Sequence, residues 1–145
     1  MIIRTVSLAA VMLGGLIFAA PAYAEVINMA AELTGTAEVP ATDSAGTGKL
    51  EATYDTDSKE LAWTVTYEGL TGDATAAHFH GPAAADATAG PVVPIEGALA
   101  SPIVGKATLT DEQATQLQDG MWYFNVHTAA HSDGEIRGQV TAAAM

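Results

Sequence analysis

The chain has 145 residues, 17 of them acidic and only 5 basic, for a formal net charge of −12, and it contains no cysteine. A surface of that sign repels phosphate backbones and anionic lipid heads, which argues against nucleic acid and membrane partners. The missing thiols exclude thiolate metal sites, disulfides, redox pairs, cysteine nucleophiles and a lipoprotein anchor.

The first segment reads as a secretory signal. Arg4 supplies a positive start, Val6 to Ala20 is almost wholly apolar, and Pro21 breaks any helix. Ala22-Tyr23-Ala24 then forms a small-x-small cleavage site. The apolar run is short for a span of about 20 residues, and no stop-transfer cluster follows it. The expected division is a signal peptide over 1–24 and one domain over 25–145, periplasmic or secreted and free of the membrane after cleavage. All the acidic residues fall in this mature part, whose basic residues are Lys49, Lys59, Lys106 and Arg137.

Along the mature chain the hydrophobic period is mostly two, the spacing of strands. Ile27, Met29, Ala31 and Leu33 form one such stripe, Leu50, Ala52 and Tyr54 a second, and Leu61, Trp63, Val65 and Tyr67 a third. Trp122, Phe124 and Val126, and later Ile136, Gly138 and Val140, repeat the pattern. The alternate positions are polar, as expected for sheets with one buried face. Asp55-Thr56-Asp57-Ser58 reads as a hairpin loop, Thr71-Gly72-Asp73 as a turn, and Ala83 to Gly90 as a mobile low-complexity loop. One short helix is expected: Thr110 and Gln113 form a capping box, Asp111 and Glu112 suit its N-terminus, and Gly120 closes it. About eight strands and one short helix argue for an all-β fold, an antiparallel β-sandwich of the immunoglobulin or copper/zinc superoxide dismutase kind.

The four histidines fall in two clusters. His78 and His80 form an H-x-H pair, so at strand spacing both rings point to one face while Phe79 anchors the other. His127 ends the Trp122 strand, and His131 lies in the turn after it. If the two strand ends meet, four neutral imidazoles surround one ion. Taken singly a surface histidine is usually only a polar residue, and an isolated H-x-H is a weak signal; paired clusters with no other histidine weigh more.

Several segments follow one another in order: Leu33-Thr34-Gly35, Glu38-Val39-Pro40, Gly69-Leu70, Ala77-His78-Phe79-His80-Gly81-Pro82, Asn125-Val126-His127-Thr128 and Gly134-Glu135-Ile136-Arg137-Gly138-Gln139. Together they resemble the CHRD domain, named for chordin and found in many exported bacterial proteins. The resemblance covers nearly the whole mature chain and implies an extracytoplasmic β-sandwich, with no settled activity. His78, His80 and His127 match its motif positions, whereas His131 falls where the family is expected to vary. The arrangement is also similar to copper/zinc superoxide dismutase, where an H-x-H strand pair and a later strand histidine hold copper; shared architecture does not imply a shared reaction.

These observations favour a protein that binds a transition-metal ion through His78, His80, His127 and His131, with copper ahead of zinc because imidazole ligands and the absence of thiolate suit it. A dismutase-like copper oxidoreductase is the enzymatic alternative, and the acidic surface, which repels superoxide, tilts the reading away from it. A structural or adhesive module without metal is the third. Glu135 and Arg137 share one strand face and are expected to pair with each other or with a neighbouring strand, and their place in the family motif implies a structural link to the loop bearing His127 and His131 rather than catalysis; Trp63, Trp122 and Phe124 are expected to be core, and Asn125 to orient the His127 segment or cap a strand. Ser132 and Asp133 beside His131 lack a nucleophile-elbow pattern, so hydrolysis is disfavoured.

Overall fold

A computed structural model describes residues 24–144. The proposed signal segment, apart from Ala24, lies outside them. Eight strands appear in chain order: β1 (Val26–Thr34), β2 (Thr47–Asp55), β3 (Glu60–Glu68), β4 (Ala74–His80), β5 (Pro91–Pro94), β6 (Ile103–Thr108), β7 (Trp122–Thr128) and β8 (Ile136–Ala142). A single α-helix, α1 (Asp111–Gln118), connects β6 to β7. The strands form one antiparallel sheet in the order β5-β4-β7-β8-β1-β2-β3-β6. Four strands separate β4 from β3 in that order, yet Trp63 of β3 meets Phe79 of β4 edge-on, with ring centroids 5.1 Å apart. The sheet therefore folds over on itself, and its inner faces make the two layers of an all-β fold.

The local chemistry explains the connections. Asp55 Oδ1 accepts from the amides of Asp57 and Ser58, both at 2.9 Å, which closes the β2–β3 hairpin. The Thr110 hydroxyl accepts from the Gln113 amide while the Gln113 side chain accepts from the Thr110 amide, so the capping box forms as read. Gly120, at φ +70°, ends the helix in a conformation that glycine adopts freely. The short strands β5 and β6 lack a long alternating stripe, and the periodicity does not reveal them. β5 is bracketed by Pro91 and Pro94, in keeping with its place at the sheet edge.

The stripes in β1, β2 and β3 bury one face as expected: Met29, Ala31, Leu33, Leu50, Ala52, Leu61, Trp63 and Val65 all lie in the core. β7 departs from that pattern, because all seven of its residues are buried. Trp122, Phe124 and Val126 enter the apolar core, while Tyr123, Asn125 and His127 face outward under a cover of loops. The 81–90 loop, expected to be mobile, is part of that cover. It is pinned by Gly81 donating to the Gly90 carbonyl, Ala83 donating to the Met121 carbonyl, and two bonds between Ala89 and the Tyr123 hydroxyl. Small side chains here serve close packing, with Ala83 only 5% exposed. The outer face of β4, β7 and β8 is thus a second, polar core.

Candidate metal centre

The strand register assembles the site. His78 stands opposite Asn125, and Asn125 opposite Arg137 on the next strand. His80 stands opposite Tyr123, and Ala76 opposite His127. Because alternate residues share a face, His78, His80, Asn125, His127, Tyr123 and Arg137 lie on one surface of three adjacent strands. Phe79, fully buried against Trp63, Phe124 and Trp122, fixes the strand segment that carries the two histidines.

His78, His80 and His127 converge, with one nitrogen from each lying within 4.8 Å of the others. His78 Nδ1 and His127 Nε2 are 3.2 Å apart. Two nitrogens each about 2.05 Å from a tetrahedral ion lie about 3.3 Å from one another, so this pair already has the spacing of shared ligands. The His80 Nδ1–H donates to the Ala89 carbonyl and the His127 Nδ1–H to the Ser132 carbonyl, both at 2.9 Å. A carbonyl only accepts, so these bonds place the ring protons on Nδ1 and leave each Nε2 lone pair facing the cluster. Metal-ligating imidazoles are oriented by such backbone carbonyls. His80 Nε2 is buried and has no hydrogen-bond partner among the described residues. A buried acceptor in that state is costly, and an ion satisfies it. The three rings fit a metal on these grounds. Desolvation lowers the pKa of His78, with the neighbouring His127 and His80 adding to it, and desolvation likewise lowers that of His80. Neutral, ligating imidazoles are thereby favoured.

His131 does not belong to the donor group. Its backbone closes the turn, exchanging bonds with Thr128 and accepting from Gly134, and its side chain lines a separate groove beside Glu38, Pro40 and Asp43. The turn carries Ser132 so that its carbonyl meets His127, and the turn thus contributes its backbone where the sequence points to a side chain.

Glu135 and Arg137 form no pair with each other; each takes partners from neighbouring elements, the other arrangement expected of them. Both are fully buried and each has its own partners. The Glu135 carboxylate accepts from Ser44 Oγ, from the Thr71 amide and hydroxyl, and from Thr128 Oγ1, so it ties three segments together. Burial alone raises its pKa, but the bonds from Ser44, Thr128 and Thr71 outweigh it and hold the group at about 2. The Arg137 guanidinium lies over the Tyr123 ring, 3.5 Å from its centroid. Tyr123 in turn stacks on His80 at 4.8 Å with the planes 3° apart. Such a cation–π contact contributes roughly 2 kcal/mol when desolvated. That offsets only part of the several kcal/mol needed to bury a charge.

Glu38, Tyr123 and Arg137 are site neighbours that sequence reasoning did not assign to it. Tyr123 was legible as the residue sharing a face with Asn125 and His127. Glu38 arrives from a distant loop, and no local pattern marks it. Burial pushes its carboxyl up to about 7, despite the opposing pull of Arg137 and a bond from Asn125. Gly134 makes room for it: a Cβ there would lie 2.3 Å from Glu38 Oε1.

The fold and the site define a small all-β domain carrying a three-histidine cluster, His80 and His127 buried and His78 half-buried, beside its loops. The family model for the CHRD domain matches residues 29–140, and the chain belongs to that family. No curated protein and no solved structure matches it. Among the described residues no helix is long and apolar enough to cross a membrane.

Proposed function

We propose that this CHRD-domain protein is exported behind residues 1–24 and binds a transition-metal ion through His78, His80 and His127, with copper favoured and zinc second. One observation carries the reading. The three rings converge, with one nitrogen of each within 4.8 Å of the others, two of them are held through Nδ1 by backbone carbonyls so that Nε2 is the free donor, and His80 Nε2 is buried without a partner among the described residues. An all-nitrogen donor set without thiolate suits divalent copper, which generally binds most tightly in the first-row series. Three protein ligands leave a fourth position to an exogenous molecule. His78 is only half-buried, so an ion reaches the cluster from solvent on its side.

Metal analysis of protein purified from its native compartment tests this. The reading predicts close to one copper, or failing that one zinc, per chain that starts at Glu25. Metal-free protein that stays metal-free after exposure to either ion contradicts it.

A further inference from the structure

Beside the histidines lies a cavity of about 320 Å³ that shares His80 and Asn125 with the metal centre and is otherwise walled by Glu38, Pro40, Tyr123 and Arg137, among others. Arg137 is 1% exposed. Among the described residues its one hydrogen bond runs 3.3 Å to the Ala84 carbonyl, and it forms no ion pair with any carboxylate. A guanidinium carries five donors in a planar fork that matches a carboxylate. Here a buried fork lines a cavity with most of its donors unused. The same lining has the converse shortage: Asn125 Oδ1 is buried and accepts no hydrogen bond among the described residues. Buried polar groups in folded proteins are nearly always satisfied, and an unmet acceptor in one cavity with a guanidinium whose donors are mostly unused fits a single missing molecule.

We propose that this cavity binds a small carboxylate bearing a neighbouring hydroxyl, its carboxylate on the Arg137 guanidinium and its hydroxyl donating to Asn125 Oδ1. A bare anion leaves Asn125 Oδ1 unmet. A neutral polyol leaves the guanidinium without a counter-charge. The cavity volume admits a molecule of a few heavy atoms together with water. Asp133 also lines the cavity, but it is exposed to solvent, where its charge is screened. Glu38, with its carboxyl raised to about 7, is largely uncharged at pH 6 and does not oppose an anion there. The proposal stands apart from the metal reading, because neither the Arg137 guanidinium nor the Asn125 side chain belongs to the three-imidazole set.

Titration of chelator-treated mature protein at pH 6 tests it, with glycolate, acetate and glycolamide as probes, followed by calorimetry and by amide and guanidinium NMR shifts. Glycolate is expected to saturate at millimolar concentrations or below, shifting the Arg137 side chain and the Ala89 and Asn125 amides. Acetate, which lacks the hydroxyl, should bind about tenfold more weakly. Glycolamide, which lacks the charge, should not saturate. Asn125→Leu should abolish the preference for glycolate over acetate, and Arg137→Met should abolish binding of both. Arg137 is fully buried, so its replacement also perturbs folding, and the three-probe comparison on the unmutated protein decides alone. Absence of saturation by glycolate, equal binding of all three probes, or shifts confined to Lys49 and Lys106 would overturn the proposal. Because the protein is metal-free throughout, any of these results leaves the copper and zinc measurements standing or falling separately.

Discussion

His78 Nδ1 and His127 Nε2 stand 3.2 Å apart although 49 residues separate them in the chain. The antiparallel register of β4 on β7 makes the meeting, setting Ala76 opposite His127 and His78 opposite Asn125, so the two rings lean toward one another from diagonal positions. Since the His127 ring proton is committed to the Ser132 carbonyl, the proton between the pair belongs to His78. An ion bound at His78 Nδ1 would require that proton to move to His78 Nε2, a change of tautomer in a ring that stays neutral.

His127 and His131 should therefore behave differently. His127→Ala removes a ring from the donor group and is expected to weaken copper binding by at least about a hundredfold, beyond the usual cost of losing a supporting contact. His131→Ala should change affinity by less than about threefold, because its side chain faces another groove. Calorimetric titration of both variants checks this; comparable large losses would place His131 in the site.

Metal binding should tolerate mild acid. His78 and His80 have pKa values lowered from 6.5, chiefly by desolvation, so their rings stay neutral when an ordinary histidine has begun to protonate. Affinity should hold from pH 7.5 to 6.5 and fall only below that. The metal-free fold carries the same sign: the unfolded chain takes up protons at 6.5 and the folded one at lower pH, so these residues erode stability as pH drops below 6.5. Affinity that falls steeply above pH 7 would contradict the arrangement.

The two buried glutamates should pull stability in opposite directions. Glu135 is held at about 2, so its contribution is complete above its ordinary value of 4.5 and is lost as pH falls toward 2. Glu38 is raised to about 7, so the fold is penalised progressively as pH climbs from 4.5 through 7. Glu38→Gln should accordingly match the parent in thermal stability at pH 5 and exceed it by a few degrees at pH 8. An equal difference at both values would mean that the Glu38 carboxyl titrates normally.

Phe79 links the apolar core to the site. Phe79→Ala should cost about 3–5 kcal/mol, as for other buried aromatics, and should weaken metal binding in whatever protein stays folded. Phe79→Leu, which keeps most of the volume, should lose less of both. Denaturant melts and copper titrations of the two variants measure this; unchanged affinity in Phe79→Leu together with a large loss of stability would separate packing from ligand placement.

Much of this was legible in the sequence, for definite reasons. The period-two stripes of β1, β2 and β3 report a single buried face, and the Thr110–Gln113 box reports a helix end that local bonds decide. The H-x-H pair and the His127 strand reported three converging rings because strand spacing fixes side-chain direction. The polar core was hidden, since polar residues on a strand ordinarily signal solvent, and only the path of the 81–90 and 129–135 loops buries them. Glu135 and Arg137, two apart on one stretch, read as partners of each other or of a neighbouring strand. Their real partners, Ser44, Thr71 and Thr128 for one and Tyr123 for the other, come from elements whose placement no local pattern encodes. His131 read as a fourth ligand ranked below His127; its side chain lies outside the converging group, and its turn brings the Ser132 carbonyl to His127.

The central claim, that His78, His80 and His127 together hold one metal ion, is tested most directly by adding one equivalent of Cu(II) to chelator-treated mature protein and recording its electron paramagnetic resonance spectrum beside that of His78→Ala/His80→Ala. The account predicts a single bound copper with superhyperfine coupling from three imidazole nitrogens in the parent, and loss of that signal in the double variant while its far-ultraviolet circular dichroism stays that of the folded sheet. A parent spectrum that the folded double variant reproduces, with the same affinity, would contradict it.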